Sequence, residues 1–276
     1  MPSILHDIFA YDFLTNALVA CLLSGVTCGV IGSYVVARRM VFLCGGITHA
    51  SFGGLGMALY AGVDPVVGAL CFASLASVGT EFASRRGRMR EDSAVGIIWA
   101  VGMALGALFM SLRPGYATDL TSYLFGNILL VTDADIRYLA LLAVVVVVGA
   151  VVMLRRIMYM VFDEEYAKSQ GVGVVVTSYV MAVVVAVTVV LSIKVMGIVL
   201  LLSLLTIPTV IANALTKDYR LIALWSAIIA VVGNVAGFIF SYEYDIPTGS
   251  CIIFTLTIAL ICVKLLTMCR NRNAKK

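Results

Sequence analysis

The sequence predicts an all-α bundle of about nine transmembrane helices, and three observations carry that prediction. Of 276 residues, 62% are hydrophobic and only 12% are charged, whereas a soluble domain is about half apolar and about a quarter charged. Apolar stretches of spanning length recur along the whole chain, each supplying the roughly 20 residues that a helix rising about 1.5 Å per residue needs to cross about 30 Å of hydrocarbon. Lys and Arg, finally, gather on alternate connections between those stretches.

The first stretch, near 13–37, follows Asp7 and Asp12 and lacks the basic leader and cleavage pattern of a signal peptide, so it reads as a retained span. The second, 41–61, is rich in glycine and holds His49. The third, 65–84, opens on Pro65, a residue tolerated at a first helical position. Stretches at 93–112 and 136–155 flank the segment DLTSYLFGNILLV at 119–131, which is too short to cross and reads as a half-helix or a loop buried in protein. Only Lys194 and Gly197 divide 174–193 from 195–215, the weakest boundary in the chain. Pro208 lies inside the seventh span, where it removes a backbone hydrogen bond and predicts a kink or hinge. Stretches at 221–240 and 247–268, the latter opening on Pro247, complete the set, giving eight or nine spans in a single transmembrane domain over 1–276.

With the connections placed alternately on two sides, one side collects Arg38, Arg39, Arg85, Arg86, Arg88, Arg90, Arg155, Arg156, Lys168, Lys217, Arg220, Lys264, Arg270, Arg272, Lys275 and Lys276. The other receives only Arg113, Arg137 and Lys194. A wrong helix count would scramble that asymmetry, so it supports the count and a bacterial-type inner (plasma) membrane protein with N-terminus outside and C-terminus cytoplasmic. The net charge of +4 is thereby read as a topology signal and not as a footprint for nucleic acid. Seven cysteines without CxxC spacing argue against a disulfide framework or structural zinc. No GxxxxGK(S/T) phosphate loop occurs, so uphill transport would draw on an external energy source.

Histidine appears only at His6 and His49, which excludes HExxH protease chemistry and leaves no basis for bis-histidine haem. His6 precedes the first span and reads as solvated. His49 lies in MVFLCGGITHASFGGLGMALYAG at membrane depth, where an ionisable group is costly unless it faces a polar path or hydrogen-bonds a neighbouring helix; both readings stand. On a helix it shares a face with Gly45, Phe52, Gly53 and Gly56, and those glycines either admit a close helix or leave room for a path. Cys44 falls about 140° away around the helix, so the pair does not read as one metal site. The connection MYMVFDEEYAKSQGVGV carries its own helix punctuation: Asp163 as N-cap, Glu164 and Glu165 in the first turn, Gly171 at the C-terminus. It reads as a docking helix or as an ordinary amphipathic connector. Asp245 in YEYDIPTG falls at the outer rim, as a turn former or as a cation attractor.

Six segments in register resemble the ABC-3 family of metal-ion transporter permeases: Arg38 and Arg39 leading to GGITHASFGGLG, EDSAVGI at 91–97, DLTSYLFGNIL at 119–129, FDEEYAKSQGV at 162–172, VMGIVLLLSLLTIPTVIA at 195–212 and DIPTG at 245–249. The resemblance implies a fold like the vitamin B12-type importer permeases and import of Zn²⁺ or Mn²⁺, with Fe²⁺ behind, by alternating access. It implies three partners: a cytoplasmic ATPase that carries the ATP, an extracytoplasmic metal-binding protein, and a second permease subunit, identical or related. No cofactor is bound permanently and no covalent chemistry falls to this chain; the metal ion is cargo. By the same resemblance 162–172 is the ATPase-coupling segment, with Glu165, Ala167 and Gly171 matching its pattern, and His49 is a transient metal ligand on the path. The family motif reads like GDALSHA, so Gly45 stands here in place of the usual aspartate, removing an oxygen donor and a negative charge.

Rival classes fit less well. A secondary transporter calls for acidic residues near the midplane, and nearly every acid here maps to a connection, with Glu81 near a helix end. An intramembrane enzyme calls for a nucleophile and base or a full metal set. A permease for cobalamin-like or metal-chelate cargo shares the mechanism and usually has a longer chain.

Overall fold

The computed structural model describes residues 10–86, 89–112, 126 and 128–273. Nine helices among them are long and apolar enough to cross a membrane. In chain order they are α1 (Asp12–Ala37), α2 (Val41–Ala61), α3 (Pro65–Arg86), α4 (Glu91–Ser111), α5 (Asp133–Phe162), α7 (Val174–Met196), α8 (Ile198–Leu215), α9 (Tyr219–Tyr244) and α10 (Thr248–Asn273), with the short α6 (Glu164–Ser169) between α5 and α7. The chain is an all-α polytopic bundle, as its composition predicts.

α1 is the axis of one group. It packs on α9, α8 and α5, while α10 closes over α8 and α9. The second group is α2 held between α4 and α3, with α3 seated on α7. Lipid supplies no hydrophobic drive between helices, so small residues and polar contacts must bring them together. Asn234 of α9 donates to the Cys21 carbonyl of α1 at 2.9 Å, Ser77 of α3 to the Ala182 carbonyl of α7 at 2.8 Å, and the Thr209 and Ser226 hydroxyls join α8 to α9 at 2.7 Å. Each removes polar groups from a medium that cannot solvate them.

The glycines of α2 settle one open question. A Cβ on Gly53 would lie 2.9 Å from the Gly102 carbonyl oxygen, and one on Gly56 would lie 2.7 Å from that of Gly106. In return, a Cβ on Gly106 would meet the Phe52 carbonyl at 2.8 Å. These glycines admit the α4 backbone. Gly45 does not, because a Cβ there meets nothing within 4 Å.

Boundaries differ from the sequence reading where no breaker follows the apolar run. α5 continues past 155 to Phe162, since LRRIMYMVF contains no Gly or Pro, and ends where Asp163 turns extended. The division near 194–197 falls at Gly197, whose φ of 75° and ψ of 169° cap α7 and α8 together. A Cβ on Gly126 would collide with the Gly197 backbone, so the approach to α5 is pinned against this break. Of the segment 119–131, residues 119–125 and 127 lie outside the described residues; Ile128–Leu130 form a 3₁₀ turn with Ile128 buried. Pro208 is buried, and α8 is continuous through it.

Candidate functional site

His49 sits in the third turn of α2, and its imidazole lies flat on the indole of Trp99 from α4, with ring centroids 4.4 Å apart and planes 8° apart. Close α2–α4 packing through the glycines creates that stack. Phe42, half exposed, is tilted against the same Trp99 side chain with ring centroids 6.3 Å apart. Nδ1 of His49 is buried without a hydrogen-bond partner among the described residues. One turn away, Gly45 borders open space, where a Cβ would meet nothing within 4 Å. Cys44 is fully buried and belongs to the apolar core. Among the described residues no three His, Cys, Asp or Glu side chains converge into a group that could hold a metal ion, so His49 stands as a single imidazole. His6 lies outside the described residues.

A second constellation surrounds α6. Asp163 caps it as its position predicts, accepting from the Glu165 and Tyr166 N–H groups at 2.8 and 3.1 Å. Gly171 takes φ 75°, where a side chain would be strained, and lets Val172 N–H return to the Ala167 carbonyl at 3.0 Å. Ala167 is 0% exposed and packs with Met160 and Val174, whereas Glu165, Tyr166 and Gly171 face outward. Ala167 therefore fixes the height of α6 on α5 and α7, and the outward residues form its free face.

Sequence reasoning gave Glu164 only a first-turn role, yet it links two arginines from different helices. Its Oε1 accepts from Arg38 at 2.7 Å and from Arg85 at 3.3 Å. Arg85 also pairs with Glu81 one turn earlier and donates to the Ser178 hydroxyl of α7 at 2.7 Å. Arg38 reaches the Met160 carbonyl at 3.2 Å. Burial raises the Glu164 carboxyl, but the hydrogen bond and charge of Arg38, followed by those of Arg85, outweigh it and hold the group below the ordinary carboxylate range. The available signal was that Arg38, Arg85 and Glu164 all map to one side of the bundle, where the arginines were counted only for topology.

At the opposite end Lys194 of α7 pairs with the buried Asp135 of α5 at 2.6 Å, and Thr132 completes the capping box that holds Asp135. Asp245 caps α9 with φ 52° and ψ 45°, a left-handed turn conformation in which aspartate is one of the few tolerated side chains. It is exposed on the rim of a cavity of about 820 Å³ bounded by the ends of α7 and α9 and the starts of α1, α8 and α10. The turn role is the one its geometry displays.

The model of the ABC 3 transport family matches residues 10–267. An uncharacterized membrane protein of Synechocystis is 32% identical over 251 residues, spanning 91% of this chain and 89% of its own length. The manganese transport system membrane protein MntC of Halalkalibacterium halodurans is 29% identical, spanning 90% and 85%. The structure of PsaBC from Streptococcus pneumoniae in complex with Fab contains the same fold, with a TM-score of 0.83 over 94% of this chain and 93% of that one at 24% identity.

Proposed function

The chain belongs to the ABC 3 transport family, and on that premise we propose that it is the membrane permease subunit of an ATP-binding-cassette importer that brings a divalent transition-metal ion, Mn²⁺ or Zn²⁺, into the cell. The observation that carries this reading is a family match over nearly the whole chain, joined to a bundle whose described residues include nine helices able to span a membrane.

In this reading the end bearing Arg38, Arg85 and α6 is cytoplasmic and meets the ATPase, while the end bearing Lys194, Asp245 and the 820 Å³ cavity faces the metal-binding protein. A second permease subunit completes the path. His49 offers its imidazole Nδ1 as the ion passes, and Gly45, one turn away, borders open space. One neutral nitrogen holds the ion weakly, as a path that must also release its cargo requires. α6 presents Glu165 and Gly171 to the ATPase, Ala167 seats it, and Pro208 gives α8 a place to flex.

The test is elemental analysis of cells lacking the gene, complemented with wild type or His49→Ala. We expect one of manganese or zinc to fall in the deletion, to return with wild type and to stay low with His49→Ala. Unchanged metal content under limitation of each metal in turn would sink the reading.

A further inference from the structure

Apolar contacts join α6 mainly to α5 and α7. Those contacts do not reach α2, the helix that carries His49. What does reach toward it is charge. Arg38 is the C-cap of α1, and only Arg39 and Met40 separate it from α2. That junction has little slack: Arg39 takes φ 60°, Met40 N–H bonds back to the Val35 carbonyl at 2.8 Å, and Cys44 N–H bonds to the Met40 carbonyl at 3.1 Å. From Val41 to His49 is then about 12 Å of continuous helix. On the other side, Arg85 belongs to α3 and holds Ser178 of α7.

Glu164 joins both arms through one carboxylate oxygen. The four charges run Arg38, Glu164, Arg85, Glu81 with alternating sign, and their side chains are only 14–30% exposed. A network so placed is less screened than an isolated surface pair. α6 does not need it in order to form, since Asp163 caps the helix and Ala167 seats it. We propose that Glu164 is the positioning residue that transmits movement of α6 to the α1–α2 junction through Arg38 and to α3 and α7 through Arg85. The inference rests on α6 being the ATPase-docking element and names the link through which docking reaches the His49 helix.

The experiment uses the permease assembled with its ATPase in proteoliposomes. ATP hydrolysis and metal uptake are measured together, and spin labels at Tyr60→Cys and Tyr138→Cys, both exposed near the far ends of α2 and α5, report a distance with and without ATP. In Glu164→Gln we expect hydrolysis to persist, uptake per ATP to fall by about tenfold and the ATP-driven distance change to vanish. Arg38→Gln should act alike, the double variant should be no worse than either single one, and Arg38→Lys should retain most of the coupling. Undiminished uptake per ATP together with a preserved distance change in Glu164→Gln overturns the proposal. So does a Glu164→Gln complex that fails to assemble, which would make the residue a structural anchor. Wild type that shows the distance change without metal uptake refutes the cargo reading alone, and loss of that change in Glu164→Gln would still support the link.

Discussion

His49 stands one helical turn from an open position, and the contrast between the two residues frames the site. Because nothing lies within 4 Å of a Cβ at Gly45, Gly45→Asp meets no steric barrier, and a carboxylate there is tolerated where the position faces the polar path. On the proposed path, the added carboxylate would give a passing ion a second, anionic donor beside the imidazole. We expect KM for metal uptake to drop by roughly tenfold, equivalent to about 1.4 kcal/mol of binding, with maximal uptake falling as release slows. Concentration-dependent uptake would check this, and an unchanged KM would place Gly45 off the path. Glu164 carries a pH signature of its own. Its folded value lies below its ordinary one, so its stabilisation is fully present above the unfolded value and is lost as pH falls through the folded value. The melting-temperature gap between wild type and Glu164→Gln should stay constant through neutral pH and close only in acid below the usual carboxylate range.

Among the elements, the α2–α4 pair is sensitive to side-chain volume. A Cβ on Gly102 would lie 2.5 Å from the Ala50 Cα, so Gly102→Leu must separate the helices and disturb the His49–Trp99 stack. We expect a loss on the order of 1–3 kcal/mol, visible as a lower melting temperature and as a change in Trp99 fluorescence. α6 should respond to its cap: Asp163→Ala removes the acceptor for two N–H groups, costs about 1 kcal/mol, and should speed amide exchange in Glu165 and Tyr166. That cap, the glycine stop and the existence of α6 were legible because they depend on residues adjacent in sequence. The Glu164 pairings with Arg38 and Arg85 were not, because the partners are 126 and 79 residues away and no local pattern records which arginine a glutamate will meet. The Trp99 stack was hidden for the same reason, and the glycine face of α2 fitted two readings until α4 was seen to fill one part of it and leave Gly45 open.

For the whole molecule, nine spans and their alternation were readable because lipid imposes length and apolarity on each helix separately. The proposed orientation rests on the placement of Lys and Arg. Cysteine introduced at Val63, exposed between α2 and α3, should react with an impermeant reagent added outside intact cells, and cysteine at Ser169 of α6 should react only after permeabilisation. The reverse pattern would invert the proposed topology. The 30-residue length of α5 has a consequence of another kind. At 1.5 Å per residue it extends about 45 Å, well beyond a hydrocarbon layer of about 30 Å. A helix too long for its bilayer tilts or protrudes, and α5 ends directly at α6. If α6 is the proposed docking element, lipid thickness would set the height at which it is offered to the ATPase, so that acyl-chain length in reconstituted vesicles should tune how tightly the two subunits engage.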